Sequence, residues 1–479
     1  MISKIIKPNS YFYQMKFSVC ILLLILLVVG VISCKKDSFI TSKDAFVSFS
    51  DDTLHFDTVF TTTGSTTQYF KIFNNNNQKL LINSIHLMGG DSSFFKLNVD
   101  GASGTYFGGL ELDAKDSVYG FVTVKLKPNN TDTPLVMRDS IRVVYNGNTH
   151  FIQLEAYGQN AYFLTNTVIS NDTSWDKTLP IVIQGSLTVS EGATLSLQKG
   201  TRVYVNAKAP IQINGSLQIM GEKGSFVSFQ SDRIDDPYKN YPGSWPGIYF
   251  GNNSSNNFFQ NCIIKNAYQG VIVQSPTADN STKLTLNNCI FNNIYDIAIG
   301  GTNTSINATN CLVSNCGYNV SLVSGGNYTF EHCTLASFAN TYLDHKNPVL
   351  TLSNTNSDNS VITPLNCTLT NSIVYGDYGN VDNEVSLVKN TSANYNVTFN
   401  NVLYKVKKNL DVTKITLNNC LVNQSPAFDS INTGNRYFNF HLSASSPCIK
   451  AGANSILSLD LDGNSRPFVS PDLGCYQKQ

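Results

Sequence analysis

The sequence predicts an all-β chain built in two styles, a β-sandwich followed by a coil of short parallel strands. Three observations carry this. Clusters of Asn, Ser, Thr and Gly punctuate short runs of Val, Ile, Leu and Phe, the composition of strands joined by turns. From residue 177 onward the strands shorten to three-residue apolar-x-apolar units. Beyond residue 260 an Asn-Cys-aliphatic frame returns at near-constant intervals. Composition sets the outer limits. The 479 residues carry 33 Lys+Arg against 33 Asp+Glu, a formal net charge of +0, and only 14% are charged. A nucleic-acid partner is excluded on that balance, because phosphate binding needs a basic face. At 42% hydrophobic and 11% aromatic the chain can fill a large core, which excludes intrinsic disorder. Asn is the outlier at about one residue in eight, mostly beyond position 250.

Residues 1–33 read as an export signal rather than as part of the fold. Lys16 precedes an apolar run over 19–32, too short to span a bilayer but the right length for a signal core. The run ends Val31-Ile32-Ser33-Cys34, which resembles the bacterial lipoprotein cleavage box. That resemblance implies diacylglycerol on the Cys34 sulfur, cleavage before it and acylation of the new amino terminus. Several acyl chains anchor firmly, since each buried CH₂ contributes about 0.8 kcal/mol. Residues 34–44 then form a polar tether. Lys35, where Asp favours inner-membrane retention in some bacteria, points to the outer membrane of a Gram-negative envelope.

Residues 45–161 hold about seven alternating strands, the number of an immunoglobulin-like β-sandwich. They include Tyr69-Phe70-Lys71-Ile72-Phe73 and the stretches 118–126, 141–145 and 151–157, separated by turn clusters such as Asn74-Asn75-Asn76-Asn77 and Asn146-Gly147-Asn148. The segment has no Cys and so no inter-sheet disulfide. It resembles the disulfide-free immunoglobulin-like domains of the abnormal-spindle and hydin kind, through "Tyr-Phe-Lys-Ile-Phe-Asn" and a late strand ending "Leu-Glu-Ala-Tyr-Gly".

Over 177–445 the units are too short for useful hairpins. Leu187-Thr188-Val189, Leu195-Ser196-Leu197, Val203-Tyr204-Val205 and Ile211-Gln212-Ile213 instead suit the sides of a parallel coil. The frame then becomes explicit in Asn261-Cys262, Asn288-Cys289, Asn310-Cys311 and His332-Cys333, at intervals of 27, 22 and 22 residues. That is about one turn of a right-handed parallel β-helix. Equivalent residues then stack about 4.8 Å apart, so the Asn amides are predicted to form a hydrogen-bonded ladder, with His332 as one of its members. Nine of the 11 cysteines lie between Cys262 and Cys475. Their spacing fits neither a metal site nor a disulfide framework, and in-register neighbours have parallel Cβ vectors, so they read as buried fillers. Whether Cys448 and Cys475 pair stays open.

Residues 446–479 carry Ser446-Pro447-Cys448-Ile449-Lys450-Ala451-Gly452, Asp460-Leu461-Asp462-Gly463-Asn464-Ser465-Arg466-Pro467 and Asp472-Leu473-Gly474-Cys475-Tyr476. These resemble the C-terminal cap motif of bacterial right-handed β-helix (pectin-lyase-like) proteins of the choice-of-anchor Q type. Lys450 and Gln477 depart from the acidic residues usual there. Asp460, Asp462 and Asn464 lack the full alternation of a Ca²⁺ loop and read as a structural cap with Arg466.

Parallel β-helices often cleave polysaccharides, a reaction that takes a positioned acid and base. Glycoside hydrolysis needs two carboxylates across the bond, and none of the Gly-His-Gly, Asn-Thr-Asp or Arg-Ile-Lys motifs of the galacturonase type occurs within 177–445. The catalytic candidates are Asp344, His345 and Lys346, on a loop ending at Pro348, together with Lys265. Rungs present side chains at roughly the spacing of a sugar chain, which makes Trp245, Tyr249, Tyr268, Tyr295 and Tyr318 candidate binding residues. Scarce charge predicts binding that depends little on salt. The expected function is that of a cell-envelope lipoprotein, held in the membrane through Cys34, that binds glycan or a cell-surface protein without catalysis. The alternative is a polysaccharide lyase or glycoside hydrolase. No metal or cofactor is called for.

Overall fold

A computed structural model describes residues 38–60, 65–125, 135–176 and 178–479. The export signal, Cys34 and the first residues of the tether lie outside the described residues. The described chain is all-β: its helical content is two single-turn 3₁₀ segments, Gly90–Ser92 and Tyr238–Asn240. It divides into two compact units, the first reaching Ala156 and the second running from Tyr157 to the C-terminus, apart from short segments of the earlier chain.

In the first unit, two sheets are almost wholly antiparallel. One contains Thr53–Phe60, Lys79–Leu87, Tyr106–Leu112, Leu135–Tyr145 and Asn148–Gln159, with Phe39–Ile40 added in parallel along Lys79–Leu87. The other runs in the order Val47–Phe49, Gln68–Asn74, Ser117–Val124, Phe95–Val99, Ala102–Gly104. Strict alternation sets its buried face: Val118, Val122 and Val124 point inward while Tyr119 and Phe121 point out. Gly120 is required between them, because a Cβ there would lie 2.1 Å from the Phe70 ring that packs over it.

The second unit contains a single 26-stranded sheet. Its strands pair in parallel with the strand two or three places on, giving three columns. Leu187–Val189 lies on Ile211–Ile213, then on Ile248–Phe250 and Val271–Val273. Leu195–Leu197 lies on Leu217–Ile219, and Val203–Val205 on Phe229–Ser231. This connectivity is consistent with a parallel β-helix. Parallel pairing already starts at Tyr162–Ile169, upstream of the predicted boundary at 177, and its last pair brings in Leu421–Val422, short of 445. One continuous apolar cluster fills the interior.

Asparagine has a different job from the one predicted. Asn261, Asn288, Asn310, Asn371, Asn401 and Asn419, with His332, all have φ between 50° and 52°. Each turns a corner in the left-handed region, which Asn tolerates better than other residues with a Cβ. The ladder between rungs is made by backbone, as in Asn288 N–H to Thr309 O and Asn310 N–H to Glu331 O, both 3.0 Å. Within this column the side chains of His332 and Asn371 do meet, Nδ2 donating to Nε2 at 3.1 Å. Side-chain amide ladders occur elsewhere, along Asn327, Asn366 and Asn396 at 2.8 and 2.9 Å. The cysteines are free, and all nine but Cys420 are buried. Burial pushes the Cys262, Cys311 and Cys333 thiols well above the ordinary range. Cys448 and Cys475 do not pair.

The C-terminal residues lie against one side of the coil. A hairpin of Phe428–Asn432 and Tyr437–Leu442, followed by the tail, covers the outward residues Leu312, Ala336, Phe338, Ile373 and Leu403. Corner side chains hold the tail in place: Asn310 donates to Leu459 O at 2.9 Å, Asn371 to Ala453 O at 2.9 Å and Asn401 to Ala451 O at 2.8 Å. Buried Asp460 accepts the N–H groups of Asn464 and Gln477, and buried Asp472 those of Lys450 and Lys478. Arg466 donates to the carbonyls of Gly474 and Cys475. These carboxylates are committed to the tail's own backbone.

Candidate functional site

The column that the C-terminal hairpin covers is open at its earlier rungs. There Lys265, Asn292 and Ser314 stand in register, one per rung, and Asn266, Asn293 and Asn315 follow at left-handed corners with φ of 62°, 57° and 54°. A cleft of about 190 Å³ opens over them. Its floor is amide. Asn293 Nδ2 donates to Asn266 Oδ1 at 2.8 Å and to Asn240 O at 2.9 Å, Asn266 Nδ2 to Lys239 O at 2.6 Å, and Asn292 Nδ2 to Ser314 Oγ at 2.8 Å. These bonds tie the loop around Asn240 to the coil and use the amide donors. The Oδ1 acceptors of Asn292 and Asn293 have no protein partner among the described residues.

The rim is aromatic and cationic. Tyr238, Tyr241 and Tyr342 form a chain of edge contacts with ring centroids 5.3 and 5.0 Å apart. Arg233 caps Tyr238 at 3.9 Å, and Arg436 of the hairpin turn lies over Tyr342 at 4.1 Å. Asn340 sets up the turn presenting Tyr342, its Oδ1 accepting the N–H groups of Tyr342 and Leu343. Two cations reach the cleft, Lys265 and Arg436, and its described lining contains no carboxylate. Neither has an ion-pair partner among the described residues. Burial lowers the pKa of Lys265.

The predicted residues fall into three groups. Lys265 lines the cleft. Trp245 does not face solvent: it is 1% exposed, packs near Phe229, and its indole N–H donates to Lys265 O at 2.9 Å. A ring so placed cannot stack on a sugar, and its flanking Pro and Gly residues reflect a tight corner rather than a display loop. Tyr249, Tyr268, Tyr295 and Tyr318 do gather at one neighbouring corner of the coil. Tyr268 and Tyr295 are 47% and 51% exposed, but their rings stack on each other 5.4 Å apart at 24°, which covers the facing sides. Tyr249 is half-buried, its hydroxyl donating to Pro246 O, and Tyr318 is half-buried where it opens a strand.

Asp344, His345 and Lys346 are separated by the fold. Asp344 and Lys346 pair with each other in solvent at 2.6 Å. His345 is buried, its Nε2 2.9 and 3.0 Å from the two carboxylate oxygens of buried Glu384. Gly376 and Gly379 make room for that pair, since a Cβ at Gly376 would lie 2.3 Å from His345 Nε2. The pair is buried and pins the loop. Lys346 borders a second, shallower groove of about 600 Å³ that mixes Asp382, Asp411, Lys408 and Lys414. Both carboxylates there are engaged, Asp382 by Lys407 at 3.1 Å and Asp411 by Thr413. Among the described residues no cluster of three or more His, Cys, Asp or Glu side chains could hold a metal ion.

Sequence reasoning missed Tyr342, Arg436 and the amide floor. One signal was available: Asn266, Asn293 and Asn315 each follow an Asn-Cys frame Asn by five residues.

No protein-family model matches the chain, and no curated protein matches it either. Solved structures give weak partial likenesses. A family 123 glycoside hydrolase from Clostridium perfringens is 13% identical with a TM-score of 0.18, over 27% of this chain and 30% of that one. An ASH/PapD-like domain of human CEP192 is 11% identical with a TM-score of 0.17, over 26% of this chain and 92% of that one. The Pseudomonas fluorescens alkylpurine DNA glycosylase AlkC is 12% identical with a TM-score of 0.15, over 24% and 31%. The chain thus spans less than a third of the first of these structures.

Proposed function

We propose that the protein is a cell-envelope lipoprotein that binds a glycan in the cleft of a right-handed parallel β-helix without cleaving it. In chain order, an immunoglobulin-like domain separates the acylated Cys34 from the coil, and the tail is of the choice-of-anchor Q type. The observation that supports binding is the composition of the cleft: amide acceptors for hydroxyls, aromatic rings for C–H faces, and two cations without carboxylate partners. Such a site favours an acidic sugar over a neutral one. Binding should therefore weaken with salt, contrary to the expectation from overall charge, because opposite charges at a half-open site are screened over about 8 Å at physiological ionic strength. Titration with polygalacturonate and alginate at low and high salt tests this. Lys265→Gln and Arg436→Gln should each weaken binding about tenfold, the scale of one charge-assisted contact. Unaltered binding in both variants, or none by the wild type, overturns the assignment. Membrane release of Cys34→Ala tests the anchor.

One observation favours the enzymatic reading. A lysine whose pKa is lowered by burial lines the same cleft as Tyr342, and the two are candidates for a β-elimination base and acid. A lyase would release unsaturated sugars, seen as rising ultraviolet absorbance when polygalacturonate or alginate is incubated with the protein. A binding module leaves the absorbance flat.

A further inference from the structure

The first unit carries an exposed aromatic face that belongs to neither the coil nor its cleft. On the sheet containing Gln68–Asn74 and Ser117–Val124, Tyr69 is paired with Phe121 and Lys71 with Tyr119. Tyr69, Tyr119 and Phe121 are 51%, 39% and 39% exposed. The Tyr119 and Phe121 rings are nearly parallel, 6° apart in plane with centroids 5.7 Å apart, and Tyr69 closes the triangle at 5.7 and 6.5 Å. The next strand continues the same row with polar groups. Asn98 is paired with Phe121 and with Ser103, and its Nδ2 donates to Ser103 Oγ at 3.1 Å. A groove of about 610 Å³ runs along this row past Phe121.

We propose that this face is a second carbohydrate site, independent of the cleft, that takes a neutral β-1,4-linked hexose chain. Such a chain presents flat C–H faces at its sugar rings and equatorial hydroxyls at its edges. Phe121 at the groove and Tyr69 beside it meet the faces, Tyr119 backs Phe121 and carries Lys71 4.4 Å over its own ring, and Asn98 with Ser103 meets the edge hydroxyls. The area argues against a protein partner. At these exposures the three side chains leave on the order of 250 Å² of apolar surface, whereas a stable protein interface buries about 800 Å² on each side. The nearby charges are of both signs, Asp91 against Lys96 and the Lys71 ammonium engaged with the Tyr119 ring, which suits an uncharged ligand.

The test uses the full chain, titrated calorimetrically with cellohexaose and chitohexaose, together with gel retardation by hydroxyethylcellulose. Tyr119→Ser and Phe121→Ser, both at outward positions, should weaken binding about tenfold. Phe121→Leu keeps an apolar side chain and should lose nearly as much, which separates loss of the ring from loss of folding. Binding should be unchanged in Tyr106→Ser, an exposed tyrosine of the other sheet, and should not weaken with salt as binding of acidic polysaccharide at the cleft does, so failure here and failure of the cleft assignment remain distinguishable. The proposal is overturned if neither oligosaccharide binds the wild type, or if the Tyr119 and Phe121 variants bind as well as it does. It is also overturned if sedimentation shows a dimer that these variants dissociate.

Discussion

One column of the parallel sheet has two fates. In its earlier strands, Cys262–Lys265 and Ile290–Asn292, the outward residues Ile263, Lys265, Ile290 and Asn292 stay half-exposed. In Thr334–Phe338, a few rungs on, every residue is buried, because the C-terminal hairpin and tail lie across it. The inward residues Ile264, Phe291, Val313, Leu335 and Val374 scarcely differ along the column. The coil interior therefore specifies the fold uniformly, and the outward residues decide what is built on it. Where they are Leu312, Ala336, Phe338 and Ile373, a second layer forms. Where they are Lys265 and Asn292, a cleft remains, bounded by Arg436 and Phe438 at the edge of the cover.

The contrast can be broken most strongly at Phe338. Its ring lies 6.1 to 6.3 Å from those of Phe428, Phe438 and Phe440. Phe338→Ala should cost about 3–5 kcal/mol in urea unfolding, while Ile263→Ala at the open end costs about 1 kcal/mol or less. Equal losses at the two sites would erase the distinction.

Acid should act next, at the covered end through His332. Burial, with Arg466 beside it, lowers the pKa of His332 to about 3, against about 6.5 in the unfolded chain. Between those values the unfolded chain binds the proton and the folded chain does not, so stability falls as pH drops through this window and levels off below it. From pH 7.5 to about pH 5 the His332 share of the loss is roughly 2 kcal/mol. Asn occupies the equivalent corners, so His332→Asn should fold and flatten that slope. An unchanged slope would place the acid sensitivity elsewhere.

At the open end, Lys265→Gln should shift stability by less than about 0.5 kcal/mol while lowering affinity for acidic polysaccharide, giving binding without a stability effect where Phe338 gives the reverse. The smallest perturbation is chemical. In native protein, maleimide should label Cys420 alone among the described cysteines, since the other eight are buried and those with resolved shifts are pushed toward the thiol form. Mass spectrometry counts the adducts, and rapid labelling of Cys448 or Cys475 would show that the cover opens.

The strand alternation fixed which residues face inward, because a side-chain period of two leaves no choice once one face must be dry. That made Leu187, Val189, Ile211 and Ile213 legible as core, and the spacing of Cys262, Cys289, Cys311 and Cys333 legible as a stack of free thiols. The role of Asn was only half legible. Its recurrence marked the corners, but a left-handed φ and a side-chain ladder leave the same trace in a sequence, and only coordinates separate them. Asp344, His345 and Lys346 looked like one cluster because they are adjacent, yet a loop can turn one side chain inward between two that face solvent.

The cleft itself was out of reach. Lys265, Tyr342 and Arg436 come from a coil strand, a corner loop and the C-terminal hairpin, and no spacing links them. What the sequence determined by itself is the set of local rules, namely strand length, inward pattern and corner positions, since each depends on neighbours a few bonds away. What only the tertiary structure decided is where the C-terminal segment settles, because that depends on matching its Phe428, Phe438 and Phe440 to outward residues up to more than a hundred positions earlier, and the cleft exists where that match stops.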